Sequence, residues 1–210
     1  LPSMDNDDFR RGKLSTHKKY DEATAILAGD ALHDFAFQLI SGSLKRINPK
    51  QNLKLINYLT NCTGHNGLAG GQSLDLLYEN KILSKNKIIE MYKKKTGKLF
   101  EFSFAAPFII KNETFSRIKF AKNYGSAFGT IFQITDDILD EVNNFKEIGK
   151  TPGKDRKQGK RTLLSAIGKI KAIYFCEKLA MDFIKKNKKD VDKYPRLKQL
   201  LYYNIDKLKY

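Results

Sequence analysis

The sequence predicts an all-α protein that folds as a single domain over residues 1–210. Apolar residues recur three or four positions apart through most of the chain, and this spacing places them on one face of a helix. No segment alternates apolar and polar residues as a half-buried strand does, and no internal repeat is present. A chain of this length can bury one sizeable core.

Several segments carry the helical spacing, and short polar segments connect them. In chain order, the predicted helices are residues 20–40, 52–62, 85–95, 99–110, 115–142, 163–186 and 194–207.

The N-terminal third of the chain begins with polar residues and continues into two of these helices. Residues 1–19 contain Pro2 and Gly12, which predicts a helix end followed by a loop. Residues 20–40 combine helical apolar spacing with small residues that would let a second helix approach closely, and Ser41-Gly42-Ser43 ends the helix. Residues 52–62 form a second, shorter amphipathic helix.

The middle of the chain contains a basic helix and an aromatic helix. Residues 85–95 are rich in lysine and lead into Thr96-Gly97. Residues 99–110 are strongly apolar and include four phenylalanines, which predicts core residues or the lining of an apolar cavity. A strand is the alternative for this segment, but the long helical pattern that follows argues against an isolated strand.

The longest predicted helix, residues 115–142, carries small residues on one face. Ala121, Gly125 and Gly129 lie four positions apart, which suits close contact with another helix. Residues 143–159 form a polar loop rich in glycine and basic residues. This loop follows an acidic helix end directly, so it either folds over an anion held there or is a solvated basic loop.

The composition restricts the partners and the compartment. The formal net charge of +16 suggests an anionic partner, such as nucleic acid, a membrane surface or a phosphorylated small molecule. An AT-rich genome, which favours Lys, Asn and Ile codons, is an equally good explanation. Cys62 and Cys176 lack metal-ligand spacing, which predicts buried thiols in a reducing compartment. No apolar run approaches the ~20 residues that a transmembrane segment needs.

Three aspartates lie within an apolar stretch near the end of the longest predicted helix. On a helix, Asp136 and Asp140 share a face, and Asp137 is three positions from Asp140. Like charges at these spacings destabilise a helix by about 0.2–0.5 kcal/mol per pair. A bound Mg²⁺ would offset this cost, because carboxylate oxygens are the protein ligands that Mg²⁺ takes. The alternative is the solvated acidic edge of a surface helix.

The N-terminal segment carries a second cluster of charged residues. Acids at positions 5, 7 and 8 precede the basic residues Arg10, Arg11 and Lys13. This pattern suits a metal and diphosphate site, in which arginines form bidentate contacts with phosphate oxygens. Local ion pairs on a mobile loop are the alternative interpretation.

The glycine-rich segment at residues 63–76 matches neither of the common phosphate-binding glycine patterns. We therefore expect its glycines to serve tight helix packing, and we expect His65 to be structural.

The order of several motifs resembles the trans-polyprenyl diphosphate synthases, in particular the farnesyl and geranylgeranyl diphosphate synthases of bacterial and plastid type. The resemblance covers about residues 1–170. The matching motifs are the end of a first aspartate-rich motif at residues 1–13, Gly70-Gly71-Gln72-Ser73-Leu74-Asp75-Leu76, Lys95-Thr96-Gly97, the second aspartate-rich motif at residues 132–140, and the basic loop at residues 149–160.

This resemblance implies a fold and a reaction. The fold would be the isoprenoid synthase fold, an antiparallel helix bundle around a deep apolar cavity with the two acidic motifs facing each other across its mouth. The reaction would join isopentenyl diphosphate to an allylic diphosphate, with release of diphosphate. The enzyme would act as a homodimer and would not bind nucleic acid.

The resemblance also implies residue roles. Asp5, Asp136, Asp137 and Asp140 would bind Mg²⁺. Arg10, Lys95, Lys150 and Lys160 would surround the allylic diphosphate, and Arg11 would hold isopentenyl diphosphate. Thr96, Gln133 and the backbone near Lys95 would stabilise the allylic cation, and the released diphosphate would take the proton.

The chain starts inside the first acidic motif, whose first two acids would precede Leu1. We therefore expect an N-terminally truncated chain that lacks its first helices and has little activity alone. A non-catalytic subunit that pairs with a full-length partner is the alternative. A basic helical nucleic-acid binder is a further alternative, but it would need interleaved aromatic and basic residues or a helix-turn-helix, and the sequence shows neither. A helical phosphohydrolase or a terpene cyclase is a further alternative, but a cyclase would not be expected to combine the glycine-rich motif with Lys95-Thr96-Gly97. The codon bias and the thiols predict a plastid or cytoplasmic location.

Overall fold

The computed structural model describes residues 1–42, 47–142 and 159–208. Most of the described chain is helical and only two short strands are present in it, which confirms the all-α prediction. The elements are β1 (Phe9–Arg10), β2 (Lys13–Leu14), α1 (Thr16–Lys19), α2 (Glu22–Ser41), α3 (Pro49–Thr63), α4 (Leu68–Leu77), α5 (Lys85–Tyr92), a π-helical turn (Lys93–Gly97), α6 (Lys98–Ile110), α7 (Phe115–Val142), α8 (Leu163–Ile167), α9 (Lys169–Lys186), α10 (Lys188–Lys193) and α11 (Pro195–Asp206).

The N-terminal segment differs from its prediction as a loop. The two-residue strands β1 and β2 form an antiparallel hairpin, in which Phe9 lies opposite Leu14. Arg11 and Gly12 make the turn, with φ angles of 53° and 73°. Two successive positive φ angles match the twist of a hairpin. Strands this short carry too few residues to show alternation in the sequence.

Helices α5 and α6 are continuous through the π-helical turn, whereas the sequence predicted a helix end at Lys95. A π-helical turn contains one extra residue, so it shifts the side-chain direction without ending the helix, and such turns are frequent at functional sites. Lys95 and Thr96 both lie in this turn.

The predicted helix at residues 163–186 is instead two helices. Gly168 separates α8 from α9 with a φ of 82°, a conformation that glycine adopts without steric cost. Helices α1, α4 and α10 were not predicted.

The main core surrounds α7. Its residues Ile131, Ile134 and Ile138 are fully buried and belong to one cluster with residues of α5, α9 and α11. A second, smaller cluster, centred on Leu55 and Ala105, lies between α3, α6 and α7. The predicted bounds of α7 are confirmed, and its apolar face forms the centre of the protein.

The small residues of α7 allow its backbone to touch the preceding helical segment. A Cβ atom on Gly125 would lie 2.6 Å from the Cα of Glu101, and one on Gly129 would lie 2.8 Å from the Cα of Gly97. Both distances are below van der Waals contact, which confirms that these glycines serve close packing. The contact places the π-helical turn directly beside the second half of α7.

Helix α2 is formed as predicted but is not covered. No residue of α2, all of which the structure describes, is buried, and Leu32 is 69% exposed. The helix starts at a cap in which Asp21 accepts a hydrogen bond from the backbone N–H of Thr24 at 2.7 Å. None of the helices in the described ranges combines the length and apolar character that a membrane span requires.

Candidate functional site

A cleft of about 520 Å³ lies between the N-terminal segment, α4, the π-helical turn, α7 and the start of α8. It brings together most of the residues that the sequence singled out. Those lining the cleft are Asp5, Arg10, Lys95, Thr96, Gln133, Asp136, Asp137, Asp140 and Lys160.

Two predicted substrate-binding residues are not seen in the cleft. Arg11 is exposed at the tip of the hairpin and does not line the cleft, although its neighbour Arg10 does. The turn between β1 and β2 directs the two arginines differently. Lys150 lies outside the described residues, so its predicted contact with diphosphate stays a prediction.

The cleft is locally acidic although the chain is strongly basic. Six aspartates and four basic residues are among its described lining residues. An acidic cleft of this kind repels a diphosphate unless a cation accompanies it, because like charges at close range repel strongly in a partly desolvated site. The arrangement therefore suits a metal–diphosphate complex better than a free anion.

An ion pair with a residue of α4 holds Lys95 in the cleft. Its Nζ lies 2.6 Å from Oδ2 of the buried Asp75. A Cβ atom on Gly71 would lie 2.1 Å from the backbone nitrogen of Lys95, so only glycine permits this approach. The glycine-rich motif thus packs directly against the backbone of Lys95, so its glycines serve helix packing and do not bind phosphate. Asp75 lies in the matched motif at residues 70–76, but the sequence alone assigned it no role of its own.

Thr96, Gln133 and Asp137 form one hydrogen-bonded chain. The Thr96 hydroxyl donates to Oε1 of Gln133 at 2.6 Å. The Gln133 Nε2 group donates to Oδ1 of Asp137 at 2.8 Å. Tyr92, which sequence reasoning missed, donates its hydroxyl to Oδ2 of Asp137. Burial, then the charge of Asp137, raise the pKa of Tyr92 well above its usual range, so the hydroxyl stays a donor.

The remaining acids of the second motif lie on the same side of α7. Asp140 is buried and Asp136 is half-buried, and both line the cleft. Over the described ranges, no three or more His, Cys, Asp or Glu side chains form a ready metal-binding group. This arrangement still fits Mg²⁺, which is usually bound by one or two carboxylates together with water and substrate phosphates.

Asp5 and Lys160 connect the N-terminal segment to the start of α8. The Lys160 Nζ lies 2.6 Å from Oδ1 of Asp5. Burial raises the pKa of Asp5, but the hydrogen bond and charge of Lys160 and the charge of Lys95 outweigh it, so the pKa lies below its ordinary value. Asp5 is therefore ionised at neutral pH.

Arg161 is a further cleft residue that the sequence did not single out. It lines the cleft beside Lys160, and its buried Nε has no hydrogen-bond partner among the described atoms. An arginine donor without a partner is a suitable contact for an anion. Its position next to the predicted Lys160 was the only available sequence signal.

Comparison with known proteins identifies the family. The family model for polyprenyl synthetases matches residues 3–201. The chain belongs to the polyprenyl synthetase family. This result confirms the resemblance on which the residue roles were predicted.

Relatives of this polyprenyl synthetase include both bacterial and plant proteins. The chain is 45% identical over 168 residues to farnesyl diphosphate synthase from Micrococcus luteus, covering 80% of the chain and 57% of that protein. It is 39% identical over 187 residues to geranylgeranyl pyrophosphate synthase 4 from Arabidopsis thaliana, covering 87% of the chain and 49% of that protein. The chain thus spans about half to three-fifths of these relatives.

Solved structures agree with the family assignment. The fold superimposes with a TM-score of 0.86 and 30% sequence identity on geranyltransferase from Helicobacter pylori, solved with magnesium and isoprenyl diphosphate, over 99% of this chain and 68% of that one. This similarity confirms the predicted isoprenoid synthase fold class.

Proposed function

We propose that this polyprenyl synthetase joins isopentenyl diphosphate to an allylic diphosphate in isoprenoid biosynthesis, giving farnesyl or geranylgeranyl diphosphate. The observation that carries the proposal is the meeting of Lys95, Thr96, Gln133 and the aspartates of α7 in one cleft. The names of the bacterial and plant relatives support both products equally.

Asp136 and Asp140 are the proposed Mg²⁺ ligands on α7, and Asp5 is the proposed ligand on the opposite side of the cleft. Mg²⁺ held by these carboxylates would neutralise the charge that develops on a departing diphosphate. The magnesium in the Helicobacter pylori geranyltransferase structure supports this choice of metal. Asp137 completes the proposed metal-binding motif, and both of its oxygens accept hydrogen bonds from protein side chains. It adds negative charge to the site.

Basic residues around the cleft bind the diphosphates in this proposal. Lys95 and Lys160 are each within 2.6 Å of an aspartate, so their ammonium groups are already oriented at the cleft. Arg10 and Arg161 add two guanidinium groups to the lining. Positive groups that are in place before ionisation stabilise the charge of the leaving group without further reorganisation.

Ionisation of the allylic diphosphate leaves a carbocation that needs nearby negative dipoles. Gln133 presents a carbonyl oxygen fixed by the Thr96 hydroxyl at 2.6 Å. That oxygen can stabilise an adjacent cation through its dipole. The released diphosphate accepts the proton after coupling, so the site needs no side-chain base.

We infer that the protein self-associates through α2, as a homodimer. The helix exposes a continuous apolar face, and it contains none of the 39 Lys and Arg residues of the chain. Two copies of a basic chain could therefore meet on this face without strong repulsion. Sedimentation as a monomer at micromolar concentration would contradict the dimer.

We also propose a plastid or cytoplasmic location for the protein. Its two free thiols suit a reducing compartment, and its relatives include plant and bacterial proteins.

Calorimetric titration with an allylic diphosphate, with and without Mg²⁺, tests the proposed site. Asp136→Asn should abolish the gain in affinity that Mg²⁺ provides. Outer partners of a metal site are worth about 10- to 100-fold in metal affinity, and a direct ligand should be worth at least as much. Turnover with isopentenyl diphosphate tests the reaction itself.

Glu141→Gln is the matched control, because it removes the same charge from an exposed residue one position beyond Asp140. It should retain the Mg²⁺ dependence. Equal affinity for the diphosphate in wild type and Asp136→Asn, or no effect of a chelator, would show that the site is assigned wrongly.

A further inference from the structure

Among the described residues that line the cleft, the roles assigned so far leave the buried hydroxyl of Tyr92 unused. We propose that Tyr92 is a positioning residue that fixes the direction of the Gln133 amide by holding Asp137. This inference rests on the proposed function, because it concerns the residue that faces the allylic cation. Tyr92 itself need not touch substrate.

The hydroxyl of Tyr92 is constrained on both sides. It accepts a hydrogen bond from the backbone N–H of Leu163 at 2.8 Å and donates one to Oδ2 of Asp137. The residue is 2% exposed, so water cannot readily take over either contact. Because the Leu163 N–H occupies an oxygen lone pair, the hydroxyl proton is directed towards the carboxylate. The hydroxyl thus has one preferred orientation.

Asp137 passes this constraint to Gln133. Its Oδ1 accepts from Nε2 of Gln133 at 2.8 Å, one helical turn earlier on α7. The carboxylate can only accept hydrogen bonds, so it selects the NH₂ end of the amide and turns the carbonyl end away. That carbonyl oxygen meets the Thr96 hydroxyl at 2.6 Å. An amide turned the other way would set its oxygen against a carboxylate.

Removing the Tyr92 hydroxyl would loosen this arrangement without opening the core. Asp137 is 6% exposed and would lose one of its donors in a site that water hardly reaches. Its carboxylate could then rotate, and Gln133 would lose the fixed partner that defines its direction. The dipole offered to the cation would become averaged over several orientations.

The hydroxyl also ties this network to the start of α8. Leu163 is the first residue of α8, and Lys160 lies three positions before it. An N–H group in the first turn of a helix has no partner within the helix. Tyr92 supplies that partner. One hydroxyl therefore fixes both the direction of the Gln133 amide and the position of the segment that carries Lys160.

The test compares two ligands that differ only in charge at the reacting carbon. One is an allylic diphosphate analogue with an ammonium group where the cation develops, and the other is its uncharged carbon isostere. Calorimetry with Mg²⁺ present measures both affinities in wild type and Tyr92→Phe. A charged hydrogen-bonding partner is worth about tenfold or more. We expect Tyr92→Phe to lose about that factor for the ammonium analogue, with affinity for the isostere and the Mg²⁺ half-saturation unchanged.

Tyr124→Phe is the matched control, because it removes a buried tyrosine hydroxyl whose partner is the backbone carbonyl of Leu197, at 2.8 Å. It should weaken neither ligand selectively. Equal loss of both ligands in Tyr92→Phe, or a shifted Mg²⁺ half-saturation, would overturn the positioning role.

A second measurement separates this inference from the proposed function. The side-chain amide signals of Gln133, assigned by Gln133→Glu, should shift and exchange faster in Tyr92→Phe than in Tyr124→Phe. If wild type binds neither analogue, the proposed function fails, and the amide signals still decide the positioning role. Unchanged Gln133 signals in Tyr92→Phe would refute it.

Discussion

Helices α2 and α7 have similar sequence patterns and opposite environments. Both are long, at 20 and 28 residues, and both carry apolar residues at helical spacing. The apolar face of α7 is the centre of the core, where Ile134 is completely buried. The apolar face of α2 is exposed, with Leu32 among its most exposed residues. Periodicity therefore predicts a helix and its apolar face, but not what covers that face.

The two helices also differ in the charged residues that they carry. Helix α7 carries the exposed Lys119 and the partly buried Arg117 and Lys122, as expected for a helix of a basic chain. Helix α2 carries only the acids Glu22, Asp30 and Asp34 and the single His33. In a chain rich in lysine, a helix without lysine has the composition of an interface. The difference supports the dimer proposed for this face.

The largest expected difference between the two helices concerns their apolar side chains. Ile134→Ala in α7 should lower the free energy of unfolding by about 2–5 kcal/mol, because it leaves a cavity in a packed core. Leu32→Ala in α2 should change it by less than about 0.5 kcal/mol, since the side chain is exposed. Urea unfolding at low protein concentration, where a dimer dissociates, measures both. Similar losses in the two variants would show that α2 is covered within one chain.

Replacing a glycine by alanine in each helix should have effects of opposite sign. Gly125→Ala would force its Cβ to 2.6 Å from the Cα of Glu101, and overpacking of this kind costs about 1–3 kcal/mol. Gly29→Ala has no atom within 4 Å of the new Cβ, and it should stabilise α2 by about 0.5–1 kcal/mol through helix propensity. Thermal unfolding of both variants gives the two signs. A destabilising Gly29→Ala would mean that another part of the protein contacts α2 at that position.

The same comparison shows what the sequence could predict of the fold. The bounds of α7 follow from its uninterrupted spacing, and its glycines predicted close packing correctly. The break at Gly168 was missed because a single glycine can also lie inside a helix, and only its φ of 82° distinguishes the two cases. The π-helical turn was missed because an extra residue in a turn leaves no mark on composition.

The sequence predicted those cleft residues that belong to a motif. It did not predict those whose place in the cleft depends on a tertiary contact. Lys95 and Gln133 were found from their motifs. Asp75, Tyr92 and Arg161 depend on partners or surroundings that lie far away in the sequence, so their positions become visible only after folding. Arg10 and Arg11 are adjacent, but the turn sends only Arg10 into the cleft.

The reactivity of single thiols compares the exposed face of α2 with the buried core, and it is expected to give the smallest effect. Burial raises the pKa of Cys62 to about 11 and that of Cys176 to about 12. The thiolate is the reactive form, so both thiols should react slowly with iodoacetamide at pH 8 and faster as the pH rises towards these values. Leu32→Cys in α2 should have an ordinary thiol pKa of about 8.5 and react rapidly in dilute protein.

Raising the protein concentration then distinguishes the surface of α2 from the two buried cysteine sites. A second copy seated on α2 would protect the new thiol as dimer forms, whereas Cys62 and Cys176 would keep the same rate at every concentration. Urea-unfolded protein provides the control for full reactivity. If Leu32→Cys is protected at every concentration, another part of the same chain must cover α2. If it reacts rapidly at every concentration, α2 is not the dimer contact.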